Sequence, residues 1–352
     1  MGKAETTAAS GMLELFSTCP QSKDLEPNAY RRRVTEVAAW SDRAGYRGIL
    51  IYTDNQLVDP WLVAQLVIES TEQLCPLVAV QPVYTHPYTT AKMVASFAHL
   101  YGRRIFLNMV AGGFRNDLLA LGDETAHDER YARLVEYTLL VKRLLAGERI
   151  SFAGHYYNVQ NLSLTPALPA ELFPGIFVSG SSDAGVAAAR AIGATAVKYP
   201  KPPNEEVSTS ADSAGIGMRV GIIARDEDSD AWHVARSRFP EDRKGQVTHA
   251  LALKVSDSNW HRQLSELGAE APSAENPYWL GPFENYKTFC PYLVGSYTAV
   301  AVELARYMQL GFKTFIVDIP PNEDELQHTA LAFEHASRRA ATRDSAVGPA
   351  PA

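Results

Sequence analysis

The sequence predicts an α/β fold of the (β/α)8 TIM barrel type, with an insertion between the seventh and eighth strands. Eight short apolar segments alternate with longer amphipathic segments, and this alternation is typical of a parallel sheet covered by helices. The chain has 352 residues, and barrels of this type routinely form one domain of that size. A doubly wound open sheet is the structural alternative.

The predicted strands are apolar along their whole length, as expected for strands that are buried on both faces. They are residues 12–16, 48–53, 75–82, 105–110, 175–180, 195–199, 218–224 and 315–320. The predicted helices carry apolar residues at spacings of three and four. They are residues 28–44, 59–70, 89–100, 127–146, 183–192, 296–310 and 324–340.

The spacing of these segments predicts an insertion late in the chain. About ninety residues separate the seventh strand from the eighth, whereas a plain βα unit needs roughly thirty. We therefore expect one barrel domain over residues 12–340, with an insertion over about 240–292. Residues 1–11 and 341–352 are small, polar or proline-containing, and we expect both ends to be disordered.

Within the insertion, residues 276–292 combine aromatic side chains with three prolines. The aromatic residues are Tyr278, Trp279, Phe283, Tyr286, Phe289 and Tyr292. This segment either packs on the barrel rim or forms a lid over a site at the carboxyl ends of the strands, where barrel enzymes keep their chemistry.

Composition and charge narrow the function classes. The chain has 33 basic and 40 acidic residues and a net charge of −7, which argues against nucleic acid or an anionic membrane as the partner. The sequence contains no apolar run long enough for a membrane span and no signal peptide, so we expect a cytoplasmic protein. The three cysteines are far apart and the histidines lack metal-ligand spacing, so we expect no metal site.

Two segments stand out as candidate ligand sites. A buried strand runs into Gly180, Ser181 and Ser182, and Asp183 then begins an alanine-rich helix. Backbone N–H groups at such a helix start suit a phosphate, although the same residues can serve only as helix caps. Asn108 interrupts another apolar strand, and its amide bonds either a ligand or a neighbouring loop.

Other patterns are absent or ambiguous. The start of the long helix, from His127 to Tyr131, is as compatible with a solvated helix end as with a binding site. The sequence contains neither a GxSxG elbow nor a Walker-type GxxxxGKS loop, so hydrolase and P-loop functions lose support.

The chain resembles the luciferase-like, flavin-dependent monooxygenase superfamily, and within it the branch of alkanesulfonate monooxygenases and pyrimidine oxygenase. The resemblance extends over residues 12–338. It is carried in order by AVQPVYTHPYTTAKMVASF (79–97), GRRIFLNMVAGG (102–113), HDERYARLVEYTLLVKRLL (127–145), FVSGSSDAG (177–185), MRVGIIARDEDSDAW (218–232) and YLVGSYTAVAVELARYMQLG (292–311).

This resemblance implies a two-component monooxygenase on a (β/α)8 barrel. A separate NAD(P)H:flavin reductase would supply reduced FMN, and O2 as co-substrate would form a flavin peroxide that oxygenates a small organic substrate. We also expect a homodimer or homotetramer. Three alternatives stay open: hydride transfer from a reduced deazaflavin, a flavin-binding barrel without turnover, and a sugar-phosphate barrel enzyme that uses the same phosphate loop.

The resemblance also implies cofactor contacts at matching positions. These are Thr53 and Asp54 after the second strand, Asn108 in the fourth, Asp117 beyond it, Arg130 and Tyr131 in the long helix, and Gly180, Ser181 and Ser182 in the phosphate loop.

Departures from the alkanesulfonate pattern bear on the substrate. Leu57 stands where those enzymes have a Cys, and Gly221 stands where they have a His. Their mobile loop is rich in glycine and contains an Arg, whereas the corresponding stretch here reads NYKTFCPY, with Lys287 as the only nearby cation. We therefore expect a larger or less charged substrate than a sulfonate, or an acyl group tethered to a carrier.

For the substrate and the chemistry the sequence offers only candidates. Leu57 and Trp279 are the expected substrate contacts. Arg219, which is retained from the family, is a candidate partner for an anion or the peroxide, and His127 or His86 could donate a proton.

Overall fold

The computed structural model describes residues 13–206, 215–255, 258–267 and 276–344. Its strands are β1 (Glu14–Thr18), β2 (Gly48–Ile51), β3 (Cys75–Val80), β4 (Phe106–Val110), β5 (Ile150–Ala153), β6 (Asn158–Leu162), β7 (Ile176–Ser179), β8 (Thr195–Lys198), β9 (Ile216–Arg225), β10 (Tyr278–Trp279), β11 (Tyr292–Ser296) and β12 (Phe312–Val317). Its helices are α1 (Pro27–Arg43), α2 (Pro60–Glu69), α3 (Pro87–Tyr101), α4 (Arg115–Ala120), α5 (His127–Leu145), α6 (Asp183–Ile192), α7 (Asp228–Arg238), α8 (Arg243–Val255), α9 (Asn259–Glu266), α10 (Gly281–Glu284), α11 (Tyr297–Gln309) and α12 (Glu323–Asp344).

Eight of these strands form a closed parallel barrel in the order β1-β2-β3-β4-β7-β8-β9-β12. The ring closes because β12 pairs with β9 on one side and with β1 on the other, with Phe315 opposite both Met218 and Leu15. The predicted (β/α)8 barrel is therefore confirmed, and the open sheet is ruled out. Each of the eight predicted apolar segments contains or overlaps a barrel strand, with boundaries that differ by up to three residues.

The barrel interior is filled by large side chains, as in other closed parallel barrels. Phe16, Phe106 and Phe177 meet edge to face inside it, with ring centroids 5.2–5.9 Å apart. A second and larger apolar cluster packs between the outer face of the strands and the surrounding helices. These two clusters hold the strand ends, and therefore the loops that follow them, in fixed positions.

The predicted insertion is present between β9 and β12. It carries α7 to α10 and the short strands β10 and β11, and β11 pairs in parallel with the second half of β9. Because β9 has ten residues, its first half completes the barrel while its second half extends above it. The insertion is thereby anchored over the carboxyl ends of the barrel strands.

Two features differ from the sequence-based expectation. The antiparallel hairpin of β5 and β6 was not predicted, because its half-exposed strands lack a continuous apolar run. Helix α12 continues to Asp344, into residues expected to be a disordered tail, since Ala340 and Ala341 favour a helix. The rest of that tail, residues 345–352, and the N-terminal residues 1–11 lie outside the described part. Among the described residues, no helix is long and apolar enough to cross a membrane.

Candidate functional site

A cavity of about 470 Å³ lies at the carboxyl ends of the barrel strands. The loops after β1, β2, β4, β7 and β8 line it, together with part of the insertion. Most of the residues singled out from the sequence meet there. They are Thr53, Asp54, Leu57, Asn108, Asp117, His127, Tyr131, Gly180, Ser181, Ser182 and Arg219.

Three candidates from the sequence do not line this cavity. Arg130 is buried behind it, and its Nη1 donates to the carbonyl of Thr125 over 3.0 Å. Trp279 packs instead against Trp232, with ring centroids 5.5 Å apart, in a separate cluster beside β9. His86 caps α3, where its Nδ1 accepts from the backbone N–H of Tyr88.

The turn between β7 and α6 forms one end of the cavity. Ser182 is the N-cap of α6, and its Oγ accepts from the Gly185 N–H over 3.1 Å. Ser181 Oγ accepts from the backbone N–H of Tyr199 over 3.2 Å. Ser182 therefore does serve as a helix cap, whereas Ser181 bonds the chain just after β8. The first-turn N–H groups of this ten-residue helix point their partial positive charge at the cavity.

Gly180 is required at this turn because Tyr131 lies directly against it. A Cβ on Gly180 would lie 2.4 Å from the Tyr131 hydroxyl oxygen, well inside van der Waals contact. The backbone of the turn can therefore approach a ligand closely while Tyr131 closes the other side. This cradle fits a phosphate group.

Asn108 faces the cavity from the fourth barrel strand. Its side chain is only 4 % exposed, and its Oδ1 accepts from Ser179 Oγ over 2.7 Å. Among the residues that the structure describes, its Nδ2 has no protein acceptor. The buried amide is thus oriented by Ser179 and keeps a donor for a bound molecule.

Arg219 is the buried cation of the cavity, with a relative exposure of 2 %. Its Nη2 donates to the Tyr52 hydroxyl over 2.5 Å and lies 3.7 Å from Asp318 Oδ1. The guanidinium also lies over the rings of Tyr52 and Tyr199, at 5.1 and 6.0 Å from their centroids. Its buried Nε has no hydrogen-bond partner among the described residues.

The charge of Arg219 is held in place by its surroundings. Burial disfavours the charged form, but Tyr52, Tyr199 and Asp318 outweigh it and raise the pKa of Arg219. Asp318 also accepts hydrogen bonds from the hydroxyls of Thr288 and Tyr292, over 2.6 and 2.8 Å. The insertion thus contributes two donors that fix the counter-ion of the cavity's buried cation.

The insertion also supplies an aromatic wall, formed by Trp260, Tyr286 and Phe289. The Trp260 ring stacks on Tyr199 from the barrel, with centroids 3.9 Å apart and planes 15° apart. Tyr286 and Phe289 belong to the aromatic segment 276–292 that was predicted as a rim or lid, whereas Trp260 was not singled out. The signal available in the sequence was a lone tryptophan in the polar stretch NWHRQLSE (259–266).

The start of α9 crosses the mouth of the barrel. Ser258 Oγ donates to the carbonyl of Gly113, in the loop after β4, over 3.3 Å. Since Ser258 precedes α9 and α9 belongs to the insertion, this contact joins two sides of the cavity. We call the span from Ser258 to Trp260 the roof.

Two carboxylates, Asp54 and Asp117, lie together at the cavity edge. Burial and then the neighbouring Asp54 raise the pKa of Asp117. His127 lies nearby, with its Nδ1 2.7 Å from Asp128 Oδ1 and its ring edge to face with Tyr131. His127 therefore reaches the cavity already paired with an exposed acid.

Comparison with known proteins identifies the family. The luciferase-like monooxygenase family matches residues 12–314. The chain belongs to this family. It is 35 % identical over 315 residues to a monooxygenase from Niallia circulans, "4-(gamma-L-glutamylamino)butanoyl-[BtrI acyl-carrier protein] monooxygenase BtrO", with 87 % of this chain and 91 % of that protein covered. The family predicted from the sequence is therefore confirmed, and the protein is a monooxygenase of that family.

Solved structures of distant relatives share the fold. The EDTA monooxygenase EmoA from Chelativorans sp. BNC1 superposes with a TM-score of 0.71 at 16 % identity, covering 93 % of this chain and 94 % of that one. An F420-dependent secondary alcohol dehydrogenase superposes with a TM-score of 0.62 at 12 % identity, covering 92 % and 99 %. At these identities the likeness concerns the barrel alone.

Proposed function

We propose that this luciferase-like monooxygenase is the oxygenase component of a two-component system that uses reduced FMN and O2 to oxygenate an acyl group tethered to a carrier protein. The observation that carries the proposal is a single cavity with a phosphate-type turn at one end and a buried cation beneath an aromatic wall. Reduced FMN held there would activate O2, and a separate NAD(P)H:flavin reductase would supply it.

The residues present fit FMN. Its phosphate would lie at the turn of Gly180, Ser181 and Ser182. The N–H groups at the start of α6 face the cavity there, and Gly180 has no side chain to keep the phosphate away from the backbone. Asn108 would donate a hydrogen bond from its oriented amide to the flavin ring. Thr53 and Asp54 would contact the ring from the loop after β2, and Tyr131 would close the phosphate end.

The rest of the cavity suits the oxygenation of an organic substrate. The roof and the aromatic wall exclude water, which strengthens the electrostatic effect of every charge inside. Arg219 holds a permanent positive charge beside the site and stabilises negative charge that develops during the reaction. We assign this role to Arg219 rather than to His127, because His127 is already paired with Asp128.

The tethered acyl substrate is proposed from the relative and supported by the cavity. The Niallia circulans protein is named for a substrate carried on an acyl carrier protein. In this chain Leu57 and the aromatic wall offer apolar contacts for an acyl chain, and Asp54, Asp117 and Arg219 offer charges of both signs for polar groups along it. We further propose that residues 276–292 act as a lid that opens for this substrate.

The test supplies chemically reduced FMN, isotopically labelled O2 and the 4-(γ-L-glutamylamino)butanoyl thioester of an acyl carrier protein. We expect the acyl group to gain one labelled oxygen atom, detected by mass spectrometry of the intact carrier. A panel of free sulfonates, aldehydes and amines serves as the control. Oxygenation of a free compound but not of any carrier-bound acyl group would contradict the proposed substrate class.

A second candidate, hydride transfer from a reduced deazaflavin, is favoured by the shared barrel of the F420-dependent dehydrogenase. Titrating the protein with FMN and with the deazaflavin in parallel distinguishes the two. We expect the tighter binding for FMN; tighter deazaflavin binding, with O2-independent turnover, would establish the alternative. A flavin complex without any product would indicate a non-catalytic flavin carrier.

We also propose that the enzyme is a cytoplasmic homodimer or homotetramer. Leu100 on α3, at 71 %, is the most exposed large apolar side chain of the described part and is the position at which we test for a covering second copy. Light scattering of the purified protein gives the mass directly, and a Leu100→Glu variant should shift it towards the monomer.

A further inference from the structure

One side of the cavity mouth is built from three neighbouring surface segments, residues 21–25, 55–62 and 115–121. Two hydrogen bonds join them. The Val58 N–H donates to Ser22 Oγ over 3.0 Å, and Asn55 Nδ2 donates to the Asp117 carbonyl over 3.0 Å. Segment 55–62 therefore lies between the other two. We call these three segments the entrance rim.

Two cations line the cavity at the entrance rim. Lys23 and Arg115 are both exposed. Within the described part of the chain, no carboxylate oxygen lies within 4.0 Å of the charged nitrogens of either side chain. Both cations are thus available to a partner from outside.

Two acids of the same rim, Asp59 and Asp117, are described by the structure, and they differ in their surroundings. Asp59 accepts from the backbone N–H groups of Trp61 and Leu62 at the start of α2. Asp117 lies beside Asp54 at the cavity edge, and burial and then Asp54 raise the pKa of its carboxyl. The entrance rim therefore carries charges of both signs, and Lys23 and Arg115 are its cations without a carboxylate partner among the described residues.

The entrance rim is also unusually apolar. Nine large hydrophobic side chains are exposed in the described part of the chain, and five of them lie in these three segments. They are Leu25, Val58, Leu62, Leu119 and Leu121. Exposed apolar side chains gathered on neighbouring surface segments are typical of a protein-binding surface.

The entrance rim and the phosphate-type turn are separate places on the barrel. Lys23 follows the first barrel strand, whereas Gly180 follows the fifth, and these strands lie across the barrel from one another. The roof passes between the insertion and the loop after β4, above the cavity. A phosphate bound at the entrance rim would therefore not compete with the phosphate of FMN.

We propose that the entrance rim is the docking site of an acyl carrier protein, and that Lys23 and Arg115 bind the phosphodiester of its thioester arm. The inference rests on the proposed function and adds the surface that the carrier uses. The thioester arm passes between these two cations, so that the acyl group reaches the aromatic wall while the exposed leucines and Val58 contact the carrier itself. Charge attraction to the phosphodiester and apolar contact with the carrier act together.

Direct binding tests this docking site without depending on turnover. The probes are one acyl carrier protein with its phosphopantetheine arm and the same carrier without the arm, titrated by fluorescence anisotropy. We expect the arm to tighten binding to the wild-type enzyme. In the double variant K23E/R115E that advantage should fall roughly tenfold, as for the loss of charge-assisted contacts to a phosphate. Lys313→Glu, at the opposite end of the barrel, is the matched control and should bind like wild type.

Several outcomes would overturn the proposal. Equal effects of K23E/R115E on both forms of the carrier would show that these cations do not contact the arm. A change in the mass of the enzyme in light scattering would assign the rim to self-association. A loss of turnover in K23E/R115E that appears only when a reductase delivers the flavin would assign the entrance rim to the reductase. Failure of the proposed function is a separate result, namely carrier binding at the rim with no oxygen transferred to the acyl group.

Discussion

Replacing Gly180 with alanine tests whether the turn between β7 and α6 binds the flavin. The added Cβ would lie 2.4 Å from the Tyr131 hydroxyl oxygen and 3.3 Å from Tyr131 Cζ, so either the turn or the tyrosine must move. Tyr131 is only 8 % exposed and has little room to retreat. Overpacking of this kind typically costs about 1–3 kcal/mol.

We expect most of this cost to appear in flavin binding, because the clash lies at the cavity surface. If the turn shifts to relieve it, the N–H groups at the start of α6 leave their bound positions. A cost of about 1–3 kcal/mol then weakens FMN binding roughly 5- to 150-fold. Equilibrium titration of FMN fluorescence measures this change, and thermal unfolding of the flavin-free protein measures any loss of stability.

The matched control removes the atom that causes the clash. In the double variant G180A/Y131F, the nearest atom to the new Cβ is the ring carbon at 3.3 Å, a contact that a shift of a few tenths of an ångström relieves. We expect this variant to bind FMN more tightly than G180A, with Y131F alone as the reference. Wild-type affinity in G180A would refute the role of the turn, and an unimproved double variant would refute the role of the hydroxyl.

Three further variants test other parts of the site. Arg219→Ala should lower kcat about 100-fold, as for loss of a preorganised charge, and leave FMN affinity nearly intact. An unchanged rate in steady-state kinetics would refute the assigned role. Arg219→Lys, which keeps the charge, is the control. Asn108→Leu should weaken FMN binding by about 1–2 kcal/mol, whereas Ser179→Ala, which leaves the amide in place, should cost less in the same titration. Burial and then repulsion from His249 lower the pKa of His261 from 6.5 to about 4. As the pH falls, His261 is protonated in the unfolded chain before it is protonated in the folded protein. The free energy of unfolding should therefore be fully present above pH 6.5 and fall as the pH drops towards 4, by up to about 3 kcal/mol. Denaturant unfolding at a series of pH values should show a smaller fall in His261→Asn.

Much of the barrel could be predicted because its strands are continuously apolar. Runs such as residues 48–53 and 105–110 are buried on both faces, and such runs keep their pattern whatever lies around them. The helices before Gly147 and Gly311 were equally clear, since each begins or ends at residues typical of helix termini. The β5–β6 hairpin gave no comparable signal because its side chains are mostly exposed or half-buried.

The site could be predicted only where one short segment carries it. The turn at Gly180 and the amide of Asn108 are local features, and both line the cavity. The hydrogen bond between Arg219 and Tyr52 joins residues 167 positions apart in the sequence. Neither sequence segment contains a pattern that predicts this contact. Trp260 lines the cavity whereas Trp279 does not, because the packing of the insertion, rather than its composition, decides which aromatic side chain faces inwards.

The crossing of the barrel mouth by the insertion has a consequence for how this enzyme can diversify. The turn at Gly180 and the amide of Asn108 belong to barrel loops and strands, whereas Trp260, Tyr286 and Phe289 belong to the insertion between β9 and β12. Two sets of residues with different tasks thus lie in different stretches of the gene. Sequence changes within the insertion can therefore reshape the cavity for a different substrate and leave unchanged the barrel residues that we propose hold the cofactor.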